Sequence, residues 1–338
     1  MTKPKISRRT FLRIALLGGI GAGAAYIQHQ TASYGLLNFL RWSIRGQLYK
    51  FYPPAIVGLG KCTSYEGDMI NTLRNLWHVS DMPDMRGKSV LVKPNLLDEE
   101  NDNLATTNPK FVGTVLDLLA EMGAGKIIVG EGSAFRRDSY SVAENCGLAR
   151  ELDLRAIPFV DLNYDELAPV HVKDGWIRES DTLWLPKKVL NADYIISIPK
   201  LKTHHWAGVT LSLKNLLGII PGSRYGWPKN IIHINGINAT ILGLYQTLPP
   251  VISIVDGIIG MEGNGPLFGK PIQHGLLAMG NDPLAVDVTC AKLMGFSIDV
   301  IPHLSGAAMA GIGQAMKIET RGIDPEELQQ QYEAPPTL

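Results

Sequence analysis

Cysteine is scarce and unpaired. Cys62, Cys146 and Cys290 are the three in 338 residues, and no C-x-x-C pair occurs. That argues against a cysteine-held iron–sulfur cluster or structural zinc. A disulfide between two of them is open to a chain outside the cytoplasm, but the spacing assigns none, and buried, inert thiols are the default. Charged residues make up 19%, below the usual ~25%. Charge of one sign is absent overall, with 32 basic against 32 acidic residues, so no general affinity for nucleic acid follows. A bilayer-length apolar run is missing too. The stretch IALLGGIGAGAAYI, Ile14–Ile27, falls short of the ~20 residues of a membrane span. What is present is 45% hydrophobic residues and 35 glycines, which exclude a disordered chain, a coiled coil and a disulfide mini-protein.

The neutral total hides an asymmetry. Lys3, Lys5, Arg8, Arg9 and Arg13 lie in residues 1–30 with no acid, which leaves the remainder at a net −5. A basic start followed by an apolar, Gly/Ala-rich stretch is the order of an export signal. Ser7-Arg8-Arg9-Thr10-Phe11-Leu12-Arg13 resembles the twin-arginine signal, an address read by a translocase. Ala22-Gly23-Ala24 fits a small-x-small cleavage site, and an uncleaved anchor is the alternative. Residues 31–52 carry Leu36, Leu37, Phe39, Leu40, Trp42, Ile44 and Leu48 with Arg41, Arg45 and Lys50, the pattern of an amphipathic helix. Such a helix either lies on a membrane surface or covers the globular domain.

From residue 53 to about 330 the pattern is that of one α/β domain: a mostly parallel sheet with helices on both faces. Strands are expected at Ala55–Gly60, Lys88–Pro94, Lys126–Val129, Ile157–Leu162, Asp193–Ile198, Val251–Val255 and Leu276–Met279. Helices are expected at Thr63–Val79, Pro109–Met122, Ser139–Leu148, Pro186–Asn191, Gly236–Leu248 and Pro283–Met294, with Asn108 and Asp282 as caps. His171–Leu185 reads as a hairpin, and residues 331–338 as a frayed tail.

Four buried-strand patterns end in a charge beside Gly or Pro: Lys93-Pro94-Asn95, Gly130-Glu131-Gly132, Pro199-Lys200-Leu201-Lys202-Thr203-His204-His205, and Asp256-Gly257. In a parallel sheet those carboxyl ends share one edge, where ligands bind. Lys93, Lys200, Lys202, Lys214 and His204 are the candidates to receive a phosphate or carboxylate, with Asn95, Thr203, Thr210, Ser212 and Asn215 as hydroxyl and amide partners. Lys200, Lys202 and His204 share one parity in an extended chain, whereas His204 and His205 should point to opposite sides. Glu131, Asp256 and Glu262 are the weaker candidates for a divalent metal, since no H-E-x-x-H spacing supports one.

The residues also carry a family likeness. Val90–Leu96, Thr107-Asn108-Pro109, Ile127–Gly132, Asp193–His204, Thr210–Gly218, Val255–Pro266 and Asn281–Asp287 resemble the DUF362 family of prokaryotic proteins. Many members are described as iron–sulfur proteins through an attached Cys-rich segment, which has no counterpart here. The resemblance implies a domain but transfers no catalytic residue. Twin-arginine export implies cargo that folds before it crosses the membrane. The expectation is an exported protein of the periplasm or cell envelope that binds a small anionic ligand. It acts as an enzyme, as a non-catalytic binding protein or as a subunit docked to a membrane complex. Its partners are the ligand, the translocase and a membrane surface or complex, not nucleic acid.

Overall fold

The computed structural model describes residues 44–48, 51–97, 104–133, 138–173, 176–177 and 180–338. The arginine pair, the apolar run and most of the amphipathic segment lie outside the described residues. Residues 44–48 are helical.

The strands are β1 Ala55–Lys61, β2 Ser89–Pro94, β3 Lys126–Glu131, β4 Phe159–Asp161, β5 Leu167–His171, β6 Thr182–Pro186, β7 Tyr194–Ile198, β8 Lys200–His204, β9 Gly208–Thr210, β10 Val251–Glu262, β11 Lys270–Gly280 and β12 Ile318–Gly322. The main path of the sheet runs β12-β1-β11-β10-β7-β2-β3-β4, with β8 and β9 attached beside β10. The run from β10 to β4 is parallel, whereas β11 is antiparallel to both neighbours. β5 and β6 form the expected hairpin, with somewhat different bounds.

Strand periodicity sorts the core into two layers. Val90, Val92, Ile196, Ile198, Ile252 and Ile254 face one layer, with helices α1 (Met69–Val79) and α2 (Pro109–Glu121). Leu91, Ile195, Val251 and Val255 face the other. Alternate residues of one strand serve opposite faces, so apolar side chains at both parities mean a sheet covered twice. Asn108 caps α2 by accepting from Lys110 N, and Gly123 follows it at φ +82°, a turn open to glycine and costly for other residues.

The second half supplies the elements that carry the site. The helix expected at Ser139–Leu148 is broken at Gly147 into α3 (Ser139–Asn145) and α4 (Leu148–Asp153). After α5 (Lys187–Leu190) come α6 (Ser212–Asn215), α7 (Gly222–Tyr225), α8 (Asn230–Asn235), α9 (Ile237–Tyr245), α10 (Pro283–Leu293) and α11 (Pro302–Ala310). α6 is too short to hold itself. Its first amides are taken by Asp287 of α10, whose carboxylate accepts from Ser212 N at 2.8 Å and Leu213 N at 2.9 Å.

Two expectations are corrected. The stretch after Pro199 is not a loop over the sheet edge but strand β8, buried along its length and paired with β10 and β9. Pro199 lacks an N–H but keeps its carbonyl, which accepts from Asp256 N, so the ladder continues past it. The tail is not frayed. Tyr332 is buried with its hydroxyl 3.0 Å from His274 Nδ1, and Leu338 packs against the core. Among the described residues no helix is long and apolar enough to cross a membrane.

Burial pushes the Asp287 carboxyl up to about 7 from an ordinary 3.8. The native state therefore holds its proton more tightly than the unfolded chain, and this contribution to stability is lost as pH rises from about 4 to about 7. Asp287→Ala strands two buried amides and should cost about 2–5 kcal/mol in urea unfolding. Asp287→Asn keeps one acceptor, should cost less, and should flatten that part of the pH profile.

Candidate functional site

Register brings the strand ends together. Lys93 of β2 lies opposite Ser197 of β7, Ser197 lies opposite Ser253 of β10, and β3 ends beside β2 at Glu131. The Lys93 ammonium meets Glu131 Oε2 at 2.6 Å, with both side chains buried. It also donates to Pro94 O at 3.0 Å and Asn215 Oδ1 at 3.2 Å. Glu131 accepts in addition from Leu96 N and Gly132 N. Asn215 is the hub. Its oxygen also takes Asn95 Nδ2, and its nitrogen donates to Lys93 O and Ser197 Oγ. Burial pushes Lys93 below the ordinary lysine value, and Glu131 opposes that shift.

A second buried pair lies farther along β10. Lys200 Nζ is 3.0 Å from Asp256 Oδ2 and donates to the Tyr65 hydroxyl at 2.6 Å. Tyr65 donates to Asp256 Oδ1 at 2.8 Å, and Asn108 N at the start of α2 donates to Oδ2. Burial first, then the Asp256 charge, drives the Tyr65 hydroxyl upward, so it stays protonated. This pair borders a cleft of about 420 Å³ lined by Tyr65, Thr106, Asn108, Lys110, Arg150 and Lys200 among others.

A third group is basic. Lys229, at φ +65°, buries its ammonium against Gly132 O at 2.8 Å and Gly218 O at 3.1 Å. Burial brings it down to about 7, and Lys214 on α6 is brought down to about 8 by burial and then by Lys93. His204 Nδ1 accepts from Trp206 N and Ala207 N, so its ring proton sits on Nε2. Burial, then Lys214, holds this ring well below the ordinary histidine value and therefore neutral. His303 of α11 is fully buried, and among the described residues neither ring nitrogen has a partner.

The candidates therefore separate. Lys93, Asn95, Asn215 and Glu131 meet in one network, while Lys200 and Asp256 meet in another. Lys202 and Thr203 turn to carbonyls of Ala105 and Gly263. Lys200 and Lys202 do not converge on one anion as parity suggested, because the register slips between the pairs Asp256–Lys200 and Met261–Lys202. Glu262 does not join Glu131 and Asp256. It accepts from Glu333 N in the C-terminal tail, and among the described residues no three His, Cys, Asp or Glu side chains gather to hold a metal. His204 and His205 do not point apart, since the turn after β8 stacks their rings at 5.0 Å. Tyr65, Lys229 and His303 escaped the sequence reading. None sits at a strand end or in a motif, and only the fold brings them to the edge.

Gly218 is the residue over which the first pair closes. A Cβ there would lie 1.9 Å from Glu131 Oε1 and 2.7 Å from Lys93 Nζ. Gly218→Ala should therefore part the pair and cost about 3–5 kcal/mol, as for other broken buried ion pairs. Urea unfolding of this variant beside Gly87→Ala separates the clash from the general effect of adding a methyl group, because a Cβ at Gly87 meets nothing within 4 Å, although its φ of +72° adds strain of its own.

A thylakoid-associated protein of Synechocystis sp. is 32% identical over 266 residues, which is 76% of this chain and 79% of that protein. Among solved structures, the lactate racemase apoprotein of Thermoanaerobacterium thermosaccharolyticum superposes with a TM-score of 0.45 at 13% identity, over 71% of this chain and 57% of that one. A Thermotoga maritima protein gives 0.36 at 14% identity, over 60% and 52%. The chain thus spans little more than half the length of either structure. The family model described as a domain of unknown function, DUF362, matches residues 90–292, the stretch that carries every strand end of the site. The chain belongs to the DUF362 family.

Proposed function

We propose that this protein binds a small oxyanion, a carboxylate or a phosphoryl group, at the carboxyl edge of its sheet, after export to the cell envelope by the twin-arginine route. One observation carries the binding reading. Lys214 and Lys229 lie within electrostatic reach of Lys93 and of Glu131, whose carboxylate Lys93 already occupies, and the Lys229 ammonium meets backbone carbonyls. Buried charge is costly unless it is countered, and a bound anion supplies the missing countercharge. Lysines held near 7 and 8 are also suited to move a proton at neutral pH, which keeps an enzymatic role within the same reading.

The groups around these lysines set the sign of the pH dependence. Lys229 faces Glu131, Lys93, Asp161 and Lys214, and Lys214 faces Lys93 and Glu131. Both lysines lie below the 10.5 of a lysine in the unfolded chain, so the ligand-free fold gains stability as pH rises from about 7 toward 10. Anion binding needs the ammonium forms and weakens over the same rise. Sulfate and acetate keep a fixed charge from pH 6 to 9. Either should raise Tm at pH 6 by more than at pH 9, measured at matched ionic strength with chloride as reference. Absence of a shift at both pH values with both anions would sink the binding reading.

The export reading rests on Arg8-Arg9 ahead of a modestly apolar run. Replacing both with Lys should leave the protein in the cytoplasm on cell fractionation. Normal delivery of that variant to the envelope would reject the route. A membrane-facing role is favoured by Ile44, Leu48, Phe51 and Tyr52, all exposed at the end of the segment expected to be amphipathic. Gly46 meanwhile fixes that stretch against α11, where a Cβ would come within 2.3 Å of Met309 O. The Synechocystis relative, described as thylakoid-associated, fits a protein that works against a membrane.

A further inference from the structure

The lysines of the site differ in whether their ammonium groups are met, and that difference locates the ligand. Lys93 has three acceptors in Glu131, Pro94 and Asn215, which fill the three donors of an ammonium. Lys200 is held by Asp256 and Tyr65, Lys202 by Ala105 O, and Lys229 by two carbonyls. Lys214 stands apart, since no acceptor among the described residues takes its ammonium.

Lys214 itself is half-buried, and two of its neighbours are incomplete inside the fold: both ring nitrogens of His303 and the hydroxyl of Thr210 are buried with no partner among the described residues. Leaving such groups unmatched inside the fold is costly, so each signals a missing partner. His204 has Nδ1 filled from its own turn, which leaves Nε2–H as its donor. The fold brings these residues to one place. Lys202 pairs with Thr210 and His204 with Gly208 across β8–β9, and α6 follows β9 directly. A Cβ on Gly208 would lie 3.4 Å from the Ile301 side chain, so the start of α11, with His303, abuts the same hairpin. His204, Lys214 and His303 lie within electrostatic reach of one another.

Resting on the binding reading above, we infer that the anchor of the oxyanion is Lys214 with His204, His303 and Thr210, and not the Lys93–Glu131 or Lys200–Asp256 pairs. The set consists of donors: an ammonium, an imidazole N–H and a hydroxyl, with a neutral His303 adding one donor and one acceptor. No carboxylate belongs to it. That matches the oxygens of a carboxylate or of a tetrahedral oxyanion, whereas a cation would find only the His303 lone pair and the Thr210 oxygen.

The test is calorimetric titration of the full-length protein at pH 6.5 with acetate and, separately, with sulfate as a stand-in for a phosphoryl group. The wild type is compared with Lys214→Met, His303→Phe and Lys126→Met, the last on the exposed amino end of β3. We expect at least ~10-fold weaker binding in the first two variants, the loss of one charge-assisted hydrogen bond, and none in the third. Response to acetate alone assigns the carboxylate class, and response to sulfate alone the tetrahedral oxyanion. In parallel, histidine-labelled wild type is followed by long-range 1H–15N spectra, in which the His303 ring nitrogens should shift on adding the anion that binds. That readout decides the matter if a variant fails to fold. Unchanged affinity in both folded variants, or a silent His303 in a protein that binds the anion, overturns this anchor and leaves the general reading standing. No binding of either anion by the wild type overturns both.

Discussion

The Lys93–Glu131 ion pair is the constraint around which the rest of the edge is arranged. Two opposite charges withdrawn from water lose solvation that their attraction alone does not restore, so every remaining donor and lone pair must be met. The chain meets them from five places. Pro94 is the last residue of β2, Leu96 lies in the loop after it, Gly132 follows β3, and Asn215 comes from α6. Asn215 in turn is placed by Asp287, which holds the amides of α6 from the far helix α10. Gly218 supplies the fifth contribution by having no side chain. One salt link thus ties the parallel strands to the helical layer beneath them.

The two buried pairs do different work. The first is sealed, with 0% and 2% exposure at Lys93 and Glu131, and its hydrogen-bonding capacity is filled from within. The second borders the cleft. There Tyr65 bridges Lys200 and Asp256 through a hydroxyl that both gives and takes a hydrogen bond, and Asp256 rests on an amide at the start of α2. A carboxylate at a helix amino end is stabilised by the helix dipole as well as by its ammonium. One pair fixes the architecture of the edge, and the other lends a polar wall to an opening.

The fold was legible because strand parity and cap chemistry are local. Val90, Leu91 and Val92 announce a sheet buried on both faces, and Asn108-Pro109 and Asp282-Pro283 mark helix starts that the structure bears out. The convergence of strand ends was also legible, since parallel strands share one carboxyl edge. What the sequence hid depends on contacts between distant segments. Strand β8 was read as a loop because Pro199 looked like an end, while its partner β10 lies some fifty residues on in the chain. His205 was set opposite His204 because parity holds only in extended chain, and the turn begins there. Lys229 carries no motif, and its depth comes from the carbonyls of Gly132 and Gly218 that converge on it. Glu262 was grouped with Glu131 and Asp256 as a third acid, but β10 runs on from Val251 to Glu262, and its length carries Glu262 away to the C-terminal tail.

The pairing of β1 has a consequence in time. Its neighbours are β11 and β12, so Lys61 must wait for Leu276, and Ala55 for Ile318. A ribosome adding about 5–20 residues per second delivers β11 roughly 10–40 s after β1 has emerged. Throughout that interval Val57 and Leu59, fully buried in the finished domain, belong to an apolar strand with both edges open. The nascent chain is therefore at its most adhesive long before it is complete. A holdase that shields residues 55–61 during synthesis protects the one strand whose partners are made last.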